Sequence, residues 1–266
     1  MPSLNQITPA QLARQIGTPD APIIIDLRLD EDFADDPRVI PTAKRHSHTT
    51  MPEIAVRFAG RHVVVACLRG AKISEGAAAM LRCNGIAAES LAGGHLAWVS
   101  AGLPVVRSEI LPGTGLWVTR HRPKVDRIAC PWLIRRFINP EAQFLFVAPS
   151  EVPGVAERFN AIPFDIEDTF WSHRGAECTF DTMIKEFSLA TEPLDRLAKV
   201  VRAADTDDHA ASPQAAGLLA LSVGLSRMYR DDLQQLQAGM TIYDALYRWA
   251  RDGHEEGHDW PAGRAK

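Results

Sequence analysis

Cys67 opens a short basic loop between a predicted strand and a predicted helix. The apolar run 63–66 precedes it and predicts a buried strand, while residues 75–84 have helical character and are followed by Gly85. The loop 67–72 reads Cys-Leu-Arg-Gly-Ala-Lys, so two cations and a glycine follow the thiol. Free amide groups and the positive end of a helix dipole favour a thiolate at such a position. The pattern therefore predicts a reactive cysteine.

Two other interpretations of Cys67 compete with this one. A free cysteine is most often a small buried core residue, although packing does not explain why a basic glycine-containing loop follows it. A cysteine phosphatase or arsenate reductase holds its oxyanion with an arginine six positions after the cysteine, and here that position is Ile73. Because the bidentate guanidinium is missing, sulfur chemistry is preferred over phosphate chemistry.

Motifs on both sides of the cysteine extend this interpretation across residues 4–107. They are Asp26-Leu27-Arg28 after an apolar run, the loop that starts at Cys67, Gly93-Gly94-His95 followed by Trp98, and Gly102-Leu103-Pro104. Together they resemble the rhodanese (sulfurtransferase) domain. One departure is Thr42, in Pro41-Thr42-Ala43, because the family usually has glycine at that position. This difference is expected to affect a turn and not the chemistry.

The rhodanese resemblance implies that Cys67 accepts a sulfane sulfur as a persulfide. It implies an α/β domain, with a central mostly parallel sheet covered by helices. Sulfur transfer would require no cofactor, and its partners would be a small donor (thiosulfate or a persulfide) and a thiol acceptor. The implied substrate loop is Leu68, Arg69, Gly70, Ala71 and Lys72, in which Arg69 and Lys72 attract anions, with Asp26 and Arg28 as supporting residues beside it.

Length and composition limit the other functions. A chain of 266 residues suits two modest domains. No apolar run reaches membrane-spanning length, and the first residues lack a basic-then-apolar signal pattern, so no membrane partner is expected. The 4 cysteines have neither disulfide-framework nor zinc-ribbon spacing, which favours a reducing cytoplasm. A formal net charge of −4 argues against nucleic acid as a partner.

The second half of the chain is predicted to be mainly helical, with short strands at 143–147 and 162–166. Three apolar stripes at helical spacing predict core-facing helices, namely Leu194, Leu197, Ala198 and Val201; Leu218, Leu221, Leu225 and Met228; and Ile242, Ala245, Leu246 and Trp249. The last helix is predicted to begin at Thr241, with Asp244 three residues later in a position typical of a capping box.

A long specific string runs from Asp126 to Phe137 and reads Asp-Arg-Ile-Ala-Cys-Pro-Trp-Leu-Ile-Arg-Arg-Phe. With 171–181 and 205–209 it resembles, over 116–252, the C-terminal domain of ChrB-type chromate-resistance proteins. The resemblance implies a link to chromate resistance and to regulation of that response. The usual N-terminal region of that family, associated with regulation, is replaced here by the rhodanese-like region, which counts against a transcriptional role.

The predicted organisation follows from these two resemblances and from a Pro/Gly-rich stretch between them. It is a rhodanese-like domain at 1–107, a linker at 108–115, a chromate-resistance domain of the ChrB C-terminal type at 116–252 and a polar tail at 253–266. The second domain is predicted to be mainly α-helical with a few short strands.

Two candidate sites lie in the second domain. A tetrahedral dianion such as chromate or sulfate could bind near a predicted helix start, through Arg120, Arg122, Lys124 and Arg127. The alternative is a solvated basic face. A transition metal could take mixed ligands from Asp126, Cys130, His173, Glu177, Cys178, Asp205 and His209. No spacing among them is diagnostic, and the alternative makes the two cysteines core residues and His173 a satisfied polar residue.

The predicted function is transfer of sulfane sulfur through a Cys67 persulfide, coupled to a domain that responds to chromate or another oxyanion. One alternative is a non-enzymatic chromate- or metal-sensing regulator that uses its rhodanese module for binding, although the sequence has no recognisable DNA-binding motif. Another is an inert structural module, against which the intact Cys67 counts.

Overall fold

The computed structural model describes residues 5–257 of the chain. Its strands, in chain order, are β1 (Gln6–Ile7), β2 (Ile23–Asp26), β3 (Arg38–Val39), β4 (Lys44–Arg45), β5 (His62–Ala66), β6 (Ala87–Leu91), β7 (Val106–Arg107), β8 (Leu116–Arg120), β9 (Gln143–Val147) and β10 (Ile162–Pro163). Its α-helices are α1 (Pro9–Gln15), α2 (Asp30–Asp35), α3 (Met51–Ile54), α4 (Lys72–Cys83), α5 (Gly94–Ser100), α6 (Asp126–Leu133), α7 (Val152–Phe159), α8 (Thr179–Glu186), α9 (Glu192–Asp205), α10 (Ala215–Met228) and α11 (Asp232–Arg248).

A five-stranded sheet in the order β1-β6-β5-β2-β4 forms the centre of the N-terminal region, and all of its strands are parallel. Its central strands are almost continuously apolar, as is typical of a sheet that is buried on both faces. Side chains alternate along β5, so Val63 and Val65 pack on one face while Val64 and Ala66 pack on the other. The predicted α/β fold of this region is confirmed.

Helix α4 covers one face of this sheet. Its Ala78 and Leu81 pack against Val63 and Val65 in a single apolar cluster, and burial of each large side chain contributes about 1.5–3 kcal/mol. The helix begins at Lys72, earlier than residue 75, where the sequence predicted it. The first turn therefore lies directly beside the loop that follows Cys67.

The C-terminal region is mainly helical, as predicted, and contains a three-stranded parallel sheet in the order β10-β8-β9. The predicted strand at 143–147 matches β9. The predicted strand at 162–166 is shorter, because Asp165 has a φ of 52° and the backbone leaves the extended conformation there.

Two sequence expectations for the last helices are wrong. The apolar stripe of α10 does not face the core as a unit, because Leu221 is 54% exposed and Met228 is 73% exposed. The buried face of α10 includes Ser222 and Ser226 instead. Helix α11 does not begin at Thr241; it begins after Asp231, whose carboxylate accepts hydrogen bonds from the amides of residues 233 and 234.

The two regions meet near the starts of β2 and β4 and also along α1, where Arg14 pairs with Asp252. Gly17, before β2, packs against the rings of Phe137 and Tyr247, and the Thr42 amide donates a 3.0 Å hydrogen bond to the Phe137 carbonyl. Lys44, at the start of β4, forms an ion pair with Glu141. Since one apolar cluster includes residues of both regions, the division at 107 and 115 stays a prediction.

Thr42 has a φ of 67°, a conformation that favours glycine. The departure from the rhodanese pattern thus places a non-glycine residue in a left-handed turn. No helix within the described residues is both long and apolar enough to cross a membrane. The predicted polar tail is described only up to residue 257, and its remainder lies outside the described residues.

Candidate functional site

Cys67 lies between the end of β5 and the start of α4, and it is 6% exposed. Its Sγ atom is 3.1 Å from the hydroxyl oxygen of Ser74, in the first turn of α4. The same sulfur is 4.0 Å from the carbonyl oxygen of Ala71. The thiol therefore faces the amino end of a twelve-residue helix, where the helix dipole is positive.

The amide groups that follow this thiol have no protein acceptor among the described residues. Within residues 5–257, no amide from Leu68 to Ser74 donates a hydrogen bond to a protein carbonyl or side chain. The amides of a first helical turn have no partner within the helix, and those of the preceding loop extend the same set. Successive free amides of this kind form a concave anion-binding surface.

Two glycines allow the loop to pack against the turn that precedes α5. Gly70 has a φ of 65°, and a Cβ atom there would lie 2.3 Å from the carbonyl oxygen of Leu91. Gly94 has a φ of 62°, and a Cβ atom there would lie 2.3 Å from the carbonyl oxygen of Cys67. The His95 amide donates a 2.9 Å hydrogen bond to that same carbonyl. The loop conformation is thus fixed by backbone contacts that no larger residue permits.

Arg69 and Lys72, predicted to attract anions, are both exposed and form no ion pair within the described residues. Leu68 is half-buried, Gly70 is buried and Ala71 is exposed. The structure therefore places two solvated cations on the loop, and their role toward a substrate stays a prediction.

Asp26 and Arg28, predicted as supporting residues, form a buried ion pair with a distance of 2.6 Å between Nη2 and Oδ2. The Arg28 guanidinium also donates hydrogen bonds to the carbonyls of Asp36 and Arg38, at 2.8 and 2.6 Å. His95 then contacts the Asp36 carboxylate at 3.1 Å. Burial lowers the pKa of His95, and the nearby Arg28 charge lowers it further. This network connects the end of β2 with the turn that supports the Cys67 loop.

A second cluster of polar side chains lies in the C-terminal region. The Nε2 atom of His173 is 3.3 Å from Asp126 Oδ2, 3.3 Å from Asp165 Oδ1 and 3.4 Å from Asp205 Oδ2. Asp126 is the first residue of α6, Asp165 follows β10, His173 precedes α8 and Asp205 ends α9. Four separate segments therefore deliver one imidazole and three carboxylates to one place.

The electrostatics of this cluster follow from burial and mutual contact. The carboxylate of Asp126, and then that of Asp165, raises the pKa of His173 to about 10. Burial raises the pKa of Asp126 and of Asp205. Burial also disfavours the charged form of Asp165, but its contacts with His173 and Arg120 outweigh this effect and lower its pKa. The imidazole therefore favours its protonated form beside these acidic groups.

The backbone that presents Asp126 is strained. Val125, immediately before α6, has φ 41° and ψ −105°, a conformation that β-branched residues rarely adopt. The Ser222 hydroxyl accepts a 2.8 Å hydrogen bond from the Val125 amide, and the Tyr243 hydroxyl donates a 2.6 Å hydrogen bond to the Val125 carbonyl. Helices α10 and α11 thus hold this conformation, of a kind often found at functional sites.

The structure brings together three of the seven predicted metal ligands, namely Asp126, His173 and Asp205. Cys130 and Cys178 lie behind them in the core, and burial raises the pKa of both thiols. The other two predicted ligands, Glu177 and His209, are outside the group: the first pairs with a lysine and the second lies 3.5 Å from an aspartate. The mixed sulfur-containing ligand set is therefore not assembled.

The four predicted oxyanion-binding cations are not brought together as one open site. Arg120 and Arg127 both contact the Asp165 carboxylate, at 2.8 and 3.2 Å. The Arg122 guanidinium donates instead to the Ser226 carbonyl at 2.6 Å, and Lys124 is exposed. Binding of chromate or sulfate by these residues stays a prediction.

Sequence reasoning did not identify Ser74 or Asp165 as site residues. Ser74 follows Cys67 by seven positions, and an earlier helix start would have placed it in the first turn beside the thiol. Asp165 lies within the strand predicted at 162–166, and no local spacing relates it to Arg120 or His173.

Comparison with known proteins gives two separate relationships. Residues 117–250 match the family model described as ChrB, C-terminal domain. Protein ChrB of Cupriavidus metallidurans is 32% identical over 133 residues, which are 49% of this chain and 39% of that protein. The chain thus matches about two fifths of the length of this relative.

The N-terminal region has rhodanese-like structural neighbours. A rhodanese-like domain protein from Staphylococcus aureus is 29% identical to this chain. The match covers 36% of this chain and 91% of that protein, with a TM-score of 0.33. A thiosulfate sulfurtransferase from Pseudomonas aeruginosa is 27% identical to this chain. The match covers 41% of this chain and 20% of that protein, with a TM-score of 0.35. Since the family model spans half of its residues, the chain belongs to the family defined by the ChrB C-terminal domain.

Proposed function

We propose that this chain is a sulfurtransferase that carries sulfane sulfur as a persulfide on Cys67, within a chromate-resistance protein. The observation that supports this most directly is the position of the Cys67 sulfur. It faces the amino end of α4, beside seven consecutive amides that have no acceptor within the described residues. Such a surface stabilises a terminal sulfur anion in the same way as it stabilises other anions.

The reaction has two steps. In the first, the Cys67 thiolate attacks the outer sulfur of thiosulfate, the sulfur–sulfur bond of the donor breaks, and sulfite leaves with the bonding electron pair. The product is a Cys67 persulfide anion. In the second, an acceptor thiolate attacks the terminal sulfur, the bond between that sulfur and Cys67 Sγ breaks, and the Cys67 thiolate is restored.

The surrounding residues have separate roles in this scheme. The free amides of the loop hold the terminal sulfur, whose negative charge develops during the first step. Arg69 and Lys72 are solvated and unpaired among the described residues, so they attract an anionic donor. Ser74, at 3.1 Å, hydrogen bonds with the Cys67 sulfur and orients it.

The proposal is tested by incubating the purified chain with thiosulfate and measuring intact mass without a reductant. A gain equal to the mass of one sulfur atom on Cys67, and formation of thiocyanate when cyanide is the acceptor, are expected. Cys67→Ser is expected to abolish both, because a hydroxyl is not ionised near neutral pH and cannot carry a sulfane sulfur.

Cys83→Ser is the matched control, since Cys83 is an exposed cysteine at the other end of α4. It is expected to retain the full rate, and so are Cys130→Ser and Cys178→Ser wherever they fold. Thiocyanate formation by Cys67→Ser at the parental rate, or a sulfur adduct on Cys83 alone, would contradict the assignment.

A further inference from the structure

We propose that Asp126, His173 and Asp205 bind a divalent first-row transition-metal ion that prefers oxygen and imidazole ligands, with Mn²⁺ as the reference ion. This site belongs to the C-terminal region and is independent of the sulfur transfer proposed for Cys67. Three observations support this proposal: the geometry of the three side chains, a buried oxygen of Asp126 that accepts no hydrogen bond within the described residues, and the distribution of charge around them.

The distances match those of a ligand set. One ligand atom from each of the three residues lies within 4.8 Å of the other two, and His173 Nε2 is 3.3 and 3.4 Å from the carboxylate oxygens of Asp126 and Asp205. Metal–ligand bonds of about 2.0–2.2 Å place neighbouring ligand atoms roughly 3.0–3.4 Å apart in tetrahedral or octahedral geometry. The two distances from His173 have this spacing, and the two carboxylates lie within 4.8 Å of each other.

Asp126 supplies the second observation. The residue is 2% exposed, yet its Oδ2 atom accepts no hydrogen bond within the described residues. His173 Nε2 lies 3.3 Å from this oxygen as an ion-pair partner, but without hydrogen-bond geometry. A buried carboxylate oxygen without a hydrogen bond costs free energy, and an ion-pair contact at 3.3 Å does not replace that bond, so its presence requires an explanation. A bound cation in front of Asp126 provides one.

The charges around the cluster favour a cation. Arg120 and Arg127 both form ion pairs with Asp165, and the Thr179 hydroxyl donates a 2.9 Å hydrogen bond to its other oxygen. The two arginines therefore neutralise the charge of this carboxylate. Asp126 and Asp205 then contribute two negative charges, and a neutral His173 adds none. Asp126, Asp165 and Asp205 thus carry three negative charges against the two positive charges of Arg120 and Arg127, so the group attracts a cation.

The chemistry of the donors selects the kind of metal. Two carboxylates and one imidazole suit Mn²⁺, Fe²⁺ or Zn²⁺, whereas soft metals require thiolate ligands, and the group contains no cysteine sulfur. The His173 side chain is 41% exposed, so the site opens to solvent and leaves coordination positions for water. Three protein ligands with open positions are typical of reactive metal sites and not of closed structural ones.

The test uses the full chain, stripped with a chelator, dialysed and titrated with MnCl₂. Calorimetry and the loss of the free Mn²⁺ electron paramagnetic resonance signal are expected to give one bound ion per chain. His173→Gln and Asp205→Asn are expected to weaken binding at least about 10-fold. His173 is partly exposed, so its replacement leaves the core intact, and circular dichroism verifies the fold of each variant.

Glu177→Gln is the matched control, because this residue was also predicted as a ligand but pairs with Lys185 outside the group. It is expected to bind Mn²⁺ like the parent, and Cys67→Ser is expected to do the same, which separates this site from the proposed sulfur transfer. No binding of Mn²⁺, Fe²⁺ or Zn²⁺ by the parent, or unchanged affinity in folded His173→Gln, would overturn the proposal and leave His173 as an ion-paired structural residue.

Discussion

Replacement of Gly70 by alanine tests whether backbone packing holds the Cys67 loop. The left-handed conformation at Gly70 costs an alanine about 1–2 kcal/mol. The added Cβ atom would also lie 2.3 Å from the Leu91 carbonyl oxygen and 2.6 Å from the amides of Gly93 and Gly94. These are backbone atoms that cannot rotate away, so overpacking adds about 1–3 kcal/mol. Gly70→Ala is therefore expected to lower the free energy of unfolding by about 2–5 kcal/mol.

Comparison with Gly85→Ala isolates the contribution of overpacking to the stability loss. Gly85 has a similar φ of 74°, but a Cβ atom there would meet no atom within 4 Å. Gly85→Ala is expected to lower the free energy of unfolding only by the conformational cost of about 1–2 kcal/mol. Urea denaturation gives both values, provided that the slope with denaturant is unchanged. At urea concentrations where both variants are folded, Gly70→Ala is expected to transfer sulfur more slowly than Gly85→Ala. Equal stability losses would refute the close packing, and parental transfer by Gly70→Ala would refute its role at the loop.

Two further predictions concern the network beside the loop. Asp26→Asn leaves the buried Arg28 guanidinium without its charge partner and is expected to cost about 3–5 kcal/mol in urea unfolding, so a loss below 1 kcal/mol would contradict the buried pair. His95 has a lowered pKa when folded, so the unfolded chain binds its proton first as pH falls below about 6.5. The free energy of unfolding is expected to decrease between pH 7.5 and 5.5 in the parent, and to decrease by less in His95→Gln. Equal decreases in the two proteins would exclude a contribution of His95 to the pH dependence of stability.

The N-terminal fold and its loop could be predicted because their determinants are local. An apolar run, a basic glycine loop and a helix follow one another within about twenty-five residues, and the run 62–66 and the helix from Lys72 match that order. Even the departure at Thr42 is informative, because its φ of 67° is the conformation for which the rhodanese pattern has glycine. The close approach of Gly70 to Leu91 was not predictable, since it depends on how two loops pack.

The C-terminal cluster could be predicted only in part, because its members are distant in sequence. Asp126, His173 and Asp205 were candidates by residue type, but Asp165 joins them through a turn with positive φ that no spacing indicates. The apolar stripe of α10 failed for a related reason. Ser222 is buried because its hydroxyl accepts a hydrogen bond from the Val125 amide, and a hydrophobic pattern does not register such a requirement.

The site of contact between the two regions limits how they can cooperate. Gly17, Thr42 and Lys44 place the C-terminal region at the amino ends of the parallel strands, and the cavity beside them is lined from both regions, including Arg61 before β5. Cys67 follows the opposite, carboxyl end of β5. A persulfide on Cys67, as proposed above, would therefore form at the end of the sheet opposite to these contacts. Under that proposal, a diffusible acceptor thiol, and not the contact at Gly17, Thr42 and Lys44, would carry sulfur away from Cys67.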